Sequence, residues 1–418
     1  MKKIFFFITG LVICGLQPMA AQLTIENCQL KAKANYPLIK QYELIKHSEE
    51  YSLSNANKGY LPQLNVSGKA TYQSEVTSLP IKLPGITIPS LSKDQYQATA
   101  EVSQVVWDGG AIHSQKAITK ASSEVDRQKN EVDLYALTDR INQLFFGILS
   151  LNEQLIQNDL LQSELQINYD KISAYIQNGV GNQTDLDAIR VEQLKAKQHR
   201  AEIVASRKAY CEMLAAFIGE PVDNPGTLIK PEKSIVSETN NRPELKLFDA
   251  QNSLYESQIS SVNAGNLPKI NLFVQGGIGR PGLNMLNNDF SPFYIGGVRL
   301  SWNFGGFYTQ KNNLRKIDLN KQSVGVQKET FLFNSQLQTM QQKNEIAKIG
   351  AVIADDEEII RLRTNIKKAS QAKVLNGTLP VSDLIRDVNA ESQAMQDKAL
   401  HEIQLLQAIY NLKTTTNN

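Results

Sequence analysis

The stretch that decides the fold is Gln95-Tyr96-Gln97-Ala98-Thr99-Ala100-Glu101-Val102-Ser103-Gln104-Val105-Val106-Trp107, followed at once by Asp108-Gly109-Gly110. Tyr96, Ala98, Ala100, Val102 and Val106 are apolar, with Gln104 as the exception, while Gln95, Gln97, Thr99, Glu101 and Ser103 are polar. A period of two with one apolar and one wet face describes a strand. Upstream, Leu64, Val66, Ala70 and Tyr72 oppose Asn65, Ser67, Lys69, Thr71 and Gln73 in the same way. Further on, Ile270, Leu272, Val274 and Ile278 form one face, and Tyr294, Val298, Leu300 and Trp302 oppose Arg299, Ser301 and Asn303. Ten-residue segments of this kind fit a half-buried soluble hairpin, and they are also the weak signature of a membrane β-barrel. Their surroundings separate the two.

Working outward, the same landmarks occur twice. Gly59-Tyr60-Leu61-Pro62 precedes the first strand and Gly265-Asn266-Leu267-Pro268 the third. Trp107-Asp108-Gly109-Gly110 returns as Trp302-Asn303-Phe304-Gly305-Gly306, and Asn178-Gly179 with Thr184-Asp185-Leu186 returns as Asn376-Gly377 with Ser382-Asp383-Leu384. The chain of 418 residues therefore reads as one unit of about 200 residues written twice, not as a row of different domains. The boundaries this gives are a first repeat over 22–219, a connector over 220–240 carrying Pro221, Pro225, Gly226 and Pro231, and a second repeat over 241–413. Residues 414–418 read as a polar, disordered tail. The expected strands are about 64–79, 95–107, 270–280 and 292–303.

After each aromatic-Gly-Gly step the period changes from two to that of a helix. From Gly110 to about Asn178 there is no proline, and a helix of that length would run roughly 100 Å. Leu134, Leu137, Ile141, Leu144, Ile148, Leu151 and Leu155 step by three and four, a coiled-coil seam, and Ile346, Ile349, Ile353 and Ile360 repeat it less cleanly. Returning helices are expected to close hairpins over about 110–218 and 306–412, and shorter helices over Leu30 to Asn57 and Pro243 to Asn263.

Composition narrows the class. Lys+Arg number 44 against 42 Asp+Glu, 41% of residues are hydrophobic and mean hydropathy is -0.31. Only Ile4 to Ile13 approaches an apolar helix, and with Lys2-Lys3 before it and Ala20-Ala21 after it the segment reads as a signal peptide over 1–21. Without Lys2 and Lys3 the chain is formally neutral, which argues against nucleic acid as a partner. Cys14 follows the bulky Ile13, so it reads as ordinary signal content. Cys28 and Cys211 make neither a disulfide framework nor a metal site.

Four strands cannot close a membrane barrel, because the smallest known use eight. An open sheet in lipid would leave backbone groups unpaired at its edges, at several kcal/mol each. If these strands are in a membrane, several copies must donate them, and an open channel needs three or more.

The order of helix, Gly-x-x-Pro strand entry, alternating strands, aromatic-Gly-Gly step, long helix, glycine turn and returning helix, all repeated, resembles the TolC family of outer-membrane efflux proteins. Asn241-Arg242-Pro243-Glu244-Leu245 is similar to the Arg-Pro-Asp-Leu signature that opens that family's second repeat, with Glu244 for Asp. The resemblance covers essentially the whole mature chain. It implies a mainly α fold with a membrane β-barrel portion, a homotrimer forming a 12-stranded barrel and a 12-helix tunnel, located in the Gram-negative outer membrane and periplasm. It implies a passive exit duct without cofactors or enzymatic activity, served by a periplasmic adaptor and an inner-membrane transporter of RND, ABC or MFS type. The exported substrate is not legible. Other readings are a periplasmic adaptor, which would need lipoyl-like and small barrel domains, or a coiled-coil structural protein, which leaves the duplicated strands unexplained.

The resemblance also assigns candidate residues. Trp107, Gly109, Gly110, Trp302, Gly305 and Gly306 would form the barrel-to-tunnel junction, and Pro62 and Pro268 the strand-entry turns. The segments Leu79 to Ser92 and Arg280 to Ser291 would be extracellular loops. Gly179 and Gly377 match the glycines of the periplasmic tip where the adaptor docks, and bulk there should hinder docking; by themselves they are left-handed helix stops. Asp185 and Asp383 read as first-turn carboxylates behind hydroxyl caps at Thr184 and Ser382; with Arg386 they are also the candidate pore constriction, the resemblance placing Asp383 in an anionic ring there. Arg386, where close relatives often carry a second acid, could pair with Asp383. Ile176 and Val374 stand where tyrosine is common, which leaves the latch of the tip open. Glu43 with His47 and Asp397 with His401 have metal-ligand spacing but no third ligand, and read as surface residues.

Overall fold

The computed structural model describes residues 23–77, 91–179, 181–222, 225–234, 237 and 239–418. The signal-peptide segment and most of the expected loop from Leu79 lie outside them. Eight α-helices and four strands follow in the order α1 (Ile25–Asn35), α2 (Gln41–Lys58), β1 (Gln63–Tyr72), β2 (Asp94–Trp107), α3 (Ala111–Tyr135), α4 (Leu137–Gln177), α5 (Gln183–Ile218), α6 (Pro243–Ala264), β3 (Lys269–Arg280), β4 (Ser291–Ser301), α7 (Gly306–Leu375) and α8 (Val381–Thr416). Among the described residues no helix is long and apolar enough to cross a membrane.

The residues divide into two compact units, and each draws on both sequence repeats. One holds Lys40–Val132 and Pro243–Leu332. Its centre is an antiparallel sheet in the order β1-β2-β3-β4, so the strands of the two repeats join through the β2–β3 pair. The register carries the alternation across all four strands. Val66, Ala100, Gly276 and Tyr294 share one rung, and Leu64, Val102, Val274 and Gly296 another. That face is exposed: Leu64, Val66, Val274, Val298 and Leu300 all stand in the open, and Tyr294 is 82% exposed. Gln104, the exception in the pattern, donates its amide to the Tyr60 and Val105 carbonyls. A bulge between Val105 and Trp107 puts Trp107 opposite Ile270, which moves its indole onto the apolar face. β1 ends at Tyr72, short of the expected 79, because the alternation fails there and β2 begins at Asp94, its register partner.

The other unit holds Asp133–Arg242, Phe333–Asn418 and the N-terminal segment ending at Ile39. The seam read from the sequence is its core. Ile141, Phe145, Phe146 and Ile148 of α4 are buried against Ile25, Cys28 and Ala32 of α1, Leu214 and Ile218 of α5, and Ile403, Leu406 and Tyr410 of α8. Cys28 and Cys211 are both buried free thiols within it, and burial pushes both up, Cys28 to about 11. Ile349 packs with Leu405, Ala408 and Ile409, with Ile346 and Ile353 beside them. The helix expected to run unbroken from Gly110 is divided at Ala136, and the one expected from Leu30 is divided at Tyr36, ahead of Pro37, whose ring disfavours helix in the preceding residue.

The disordered tail expected from Thr414 is corrected by the structure. α8 continues to Thr416, and Thr414, Thr415 and Thr416 are buried. Asn142, itself fully buried, accepts from Gln29 at 2.6 Å and donates to Thr414 Oγ1 at 3.0 Å. Tyr135 donates to the Thr414 carbonyl at 2.7 Å, Arg242 lies over the Tyr135 ring at 5.0 Å, and Asn241 N–H reaches the Thr416 carbonyl at 2.8 Å. A polar terminus is ordered when its polar groups find buried partners, and these partners come from distant segments.

α1 is held in part by Tyr410, whose hydroxyl donates to Glu26 Oε1 at 2.6 Å. Burial pushes the Glu26 carboxyl up, but bonds from Tyr410, its own N–H and Thr24, with the charge of Lys413, outweigh it and hold it below its ordinary 4.5. A depressed carboxylate stabilises the fold above its unfolded value, and that contribution is lost as pH falls through the lower folded value. The protection of α1 amides from exchange, taken relative to their intrinsic rate at each pH, should therefore fall on acidification below about pH 4.5, and Tyr410→Phe should flatten this dependence. An unchanged acid response in the variant would remove Glu26 as its source.

Candidate functional site

Two sets of residues carry the candidate function, one in each unit. In the sheet-bearing unit, the turn from β2 into α3 is built by Asp108, which is buried and accepts from Gly110 N–H at 2.9 Å and Ile112 N–H at 2.6 Å. These bonds satisfy two free amides at the start of α3 and place a carboxylate at its positive end. Gly109 has φ +71° and Gly110 φ +83°, the left-handed region where only glycine is unstrained. A Cβ on Gly109 would lie 2.7 Å from Leu267 Cβ and 3.2 Å from the Pro268 carbonyl oxygen, so the first repeat's junction sits on the second repeat's strand entry.

The second junction is built differently. Asn303 Oδ1 accepts from Gly305 N–H at 2.9 Å, and neither Gly305 nor Gly306 is left-handed. Instead a Cβ on Gly306 would collide with Asn266 Oδ1, and the Trp302 indole donates to the Asn266 carbonyl at 3.0 Å. Phe304, the residue inserted relative to the first copy, stacks near Trp302 at 4.7 Å and Phe307 at 6.4 Å. Trp302, Phe304, Phe307 and Tyr308 are all exposed, as is Trp107. Pro62 lies in an exposed turn that Gln63 braces by donating to the Lys58 and Leu61 carbonyls.

In the helical unit, Gly179 and Gly377 end α4 and α7 with φ +74° and +69°. Around Gly377 the turn is a full Schellman stop, with Gly377 N–H on the Val374 carbonyl at 3.0 Å and Thr378 N–H on the Lys373 carbonyl at 2.9 Å. The two hairpin ends pack on one another through Ile172 and Ile176 of α4, Leu186 and Ile189 of α5, Val374 of α7, and Val381 and Ile385 of α8. Ile176 and Val374, the residues standing where tyrosine is common, thus belong to an apolar contact, with Tyr175 beside them.

Asp185 and Asp383 are first-turn carboxylates, as expected, but the caps fall earlier. Asn182, not Thr184, caps α5 through its side chain, and Pro380 precedes α8 with no side-chain cap. Arg386 pairs with Asp383 at 3.2 Å and lies 3.9 Å from Asp387. Asp387 is buried and accepts from Ser370 at 2.6 Å. The acid at Asp383 is therefore compensated within its own chain.

Sequence reasoning did not find the charged cluster that joins α4, α7 and α8. Lys367 of α7 lies 2.5 Å from Glu391 of α8 and 3.6 Å from Glu164 of α4, all largely withdrawn from solvent. Its members are far apart in sequence, so no local signal marks them. His401 turns to Asp356 at 2.9 Å, not to Asp397, and His47 pairs with Glu50 at 3.2 Å as well as Glu43 at 3.9 Å. Among the described residues no group of three or more His, Cys, Asp or Glu could hold a metal ion.

The family model described as outer membrane efflux protein matches residues 30–220, which is the first of the two repeats. No curated relative matches the chain. Among solved structures, the outer membrane protein VceC of Vibrio cholerae aligns with TM-score 0.64 at 12% identity, covering 94% of this chain and 94% of VceC. The Campylobacter jejuni CmeC outer membrane channel aligns with TM-score 0.63 at 11% identity over 94% and 85% of the two chains. The Neisseria gonorrhoeae MtrE outer membrane channel aligns with TM-score 0.66 at 13% identity over 94% and 89%. The outer membrane efflux protein model thus lies on the first repeat, the same landmarks recur in the second, and the fold is shared with these solved channels along nearly the whole chain.

Proposed function

We propose that the chain is one third of a homotrimeric exit duct, passing solutes from the periplasm to the exterior for a tripartite efflux or type I secretion assembly. The observation that carries this reading is the sheet: four strands with β1 and β4 pairing on one side only, and one continuous apolar face turned outward. Copies of the chain joined β4 to β1 pair those edges and give the apolar face to lipid, which meets the requirement that backbone groups in a membrane be satisfied. Three copies give 12 strands and a lumen wide enough for water.

Exposed Trp107, Trp302, Phe304 and Phe307 then lie at the periplasmic edge of the bilayer, where amphipathic rings are favoured. Gly179 and Gly377 mark the tip, which docks a periplasmic adaptor fed by an inner-membrane transporter. The apolar packing around Ile176 and Val374 holds that tip shut, the Arg386 guanidinium neutralises the acid at Asp383, and opening loosens the hairpin ends. CmeC and MtrE, which share this fold, are outer membrane channels, and that supports the same reading for the present chain.

The protein extracted from outer membranes in detergent should sediment as a trimer and conduct ions in a planar bilayer. A monomer that floats free of outer-membrane fractions would sink the reading.

A further inference from the structure

We propose that the barrel interior prefers anions, and that Lys69, Lys269 and the fixed Glu101–Arg299 pair set that preference. The inference rests on reading the sheet as the wall of a lipid-embedded barrel, which makes the face opposite Leu64, Val66 and Tyr294 the one that lines water.

The register decides which side chains share that face. Asn65, Glu101, Gln275 and Ile295 lie on one rung, Ser67, Thr99, Gly277 and Phe293 on the next, and Lys69, Gln97, Gly279 and Ser291 on the one beyond. Lys269 lies opposite Ser301, and Arg299 opposite Asn271. Within the strands this face carries three bases, Lys69, Lys269 and Arg299, and one acid, Glu101.

The acid is already taken. Arg299 grips both Glu101 oxygens, at 2.8 and 3.1 Å, in the bidentate geometry that fixes a guanidinium on a carboxylate. Its guanidinium lies 4.4 Å above the Phe273 ring, so the pair reaches over β3 across that aromatic. Phe273 in turn covers Gly297 of β4, where an added Cβ would lie 3.3 Å from the ring. The pair is held in place and contributes no net charge.

Lys69 and Lys269 are exposed and have no ion-pair partner among the described residues. The remaining opposite charges on the strands, Asp94 and Arg280, pair with each other at 3.5 Å at the far end of the sheet. Each chain therefore gives the lumen two uncompensated positive charges, repeated around the barrel by symmetry. A water-filled passage lined by one sign of charge and walled by low-dielectric material concentrates the opposite ion. The solutes favoured are those carrying carboxylate, phosphate or sulfonate groups.

The test uses the full-length trimer in planar bilayers under a potassium chloride gradient, near 10 mM salt, where the screening length is about 30 Å. The reading is the chloride-to-potassium permeability ratio relative to the parent protein, so a constant contribution from the tip cancels. Glu101→Gln frees a positive charge and should raise the ratio about twofold, and Lys69→Glu with Lys269→Glu should lower it about fivefold or more. Arg299→Lys keeps the charge and should leave it nearly unchanged. Conducting Lys69→Glu, Lys269→Glu channels with the parent ratio would overturn the inference and leave the channel reading standing. A parent protein that forms trimers in the outer membrane but never conducts would overturn the channel reading and this inference with it.

Discussion

Lys367→Met is expected to destabilise the helical unit by about 3–5 kcal/mol, the loss typical when one partner of a buried ion pair is removed. The Lys367 side chain is 13% exposed and that of Glu391 6%, with 2.5 Å between ammonium and carboxylate. Glu164 stands on the other side at 3.6 Å and also accepts from Gln371 at 2.9 Å. Take the ammonium away and Glu391 is left as an uncompensated charge facing a second carboxylate, with little water to solvate it. Methionine keeps most of the aliphatic stem, so packing changes little and the loss is electrostatic. The control is the double variant Lys367→Met, Glu391→Leu. Replacing both members by apolar side chains of similar volume is often neutral, so the double variant should recover most of the loss. Urea or guanidinium unfolding in detergent, followed by helical circular dichroism, reads both. An unchanged midpoint in the single variant, or a double variant worse than the single, would refute the account. The cluster joins α4 of the first repeat to α7 and α8 of the second. Amide exchange at the start of α8 should therefore quicken in the single variant.

The second large effect is expected at Gly109. Gly109→Val combines a left-handed residue, worth about 1–2 kcal/mol of strain for an L side chain, with overpacking of about 1–3 kcal/mol. The overpacking is specific, since even a single Cβ would stand 2.7 Å from Leu267 Cβ and 3.2 Å from two backbone carbonyl oxygens. Relief requires moving the β3 entry away from the α3 start, and with it the bond network of Asp108. Gly110→Ala is the informative neighbour. It is equally left-handed, at φ +83°, but a Cβ there meets nothing within 4 Å. It should cost only the conformational term, about 1–2 kcal/mol. Thermal unfolding of the purified protein and the yield in outer-membrane fractions should rank parent, Gly110→Ala and Gly109→Val in that order. Equal losses at the two positions would mean that the contact with Leu267 and Pro268 is not what the glycine serves.

Local sequence and distant contacts shape these two places differently. Gly179 and Gly377 were legible as turn residues because a left-handed backbone is a local demand that a single residue answers, and the left-handed backbone of Gly109 and Gly110 is the same demand at the step from strand to helix. The strands and helices were legible for the same reason, since periods of two and 3.6 show within a dozen residues. Duplication added more, because a weak pattern seen twice in order is no longer weak. The buried seam from Leu134 to Leu155 and the exposed apolar face of the sheet both follow from such local readings.

Other features depended on which distant segments meet. The parity change at Trp107 comes from one bulge, visible only in the pairing of β2 with β3. Thr414 to Thr416 read as a loose polar tail, yet Tyr135, Asn142 and Asn241 supply partners that make them part of the interior. Nothing in the sequence showed what Ile176 and Val374 touch at the hairpin ends, and packing placed them in one apolar contact.

By itself, then, the sequence determined the duplicated landmarks, the four strands with one apolar face, the long helices and the glycines that turn them. The tertiary structure alone decided the partners of charge: Lys367 between Glu164 and Glu391, Arg299 on Glu101, Arg386 on Asp383. The physical reason is range. Backbone conformation and amphipathicity are set by neighbours a few residues away. The partner of a charged side chain on a long helix or strand is set by the register between elements up to two hundred residues apart, where a shift of one turn exchanges every pair.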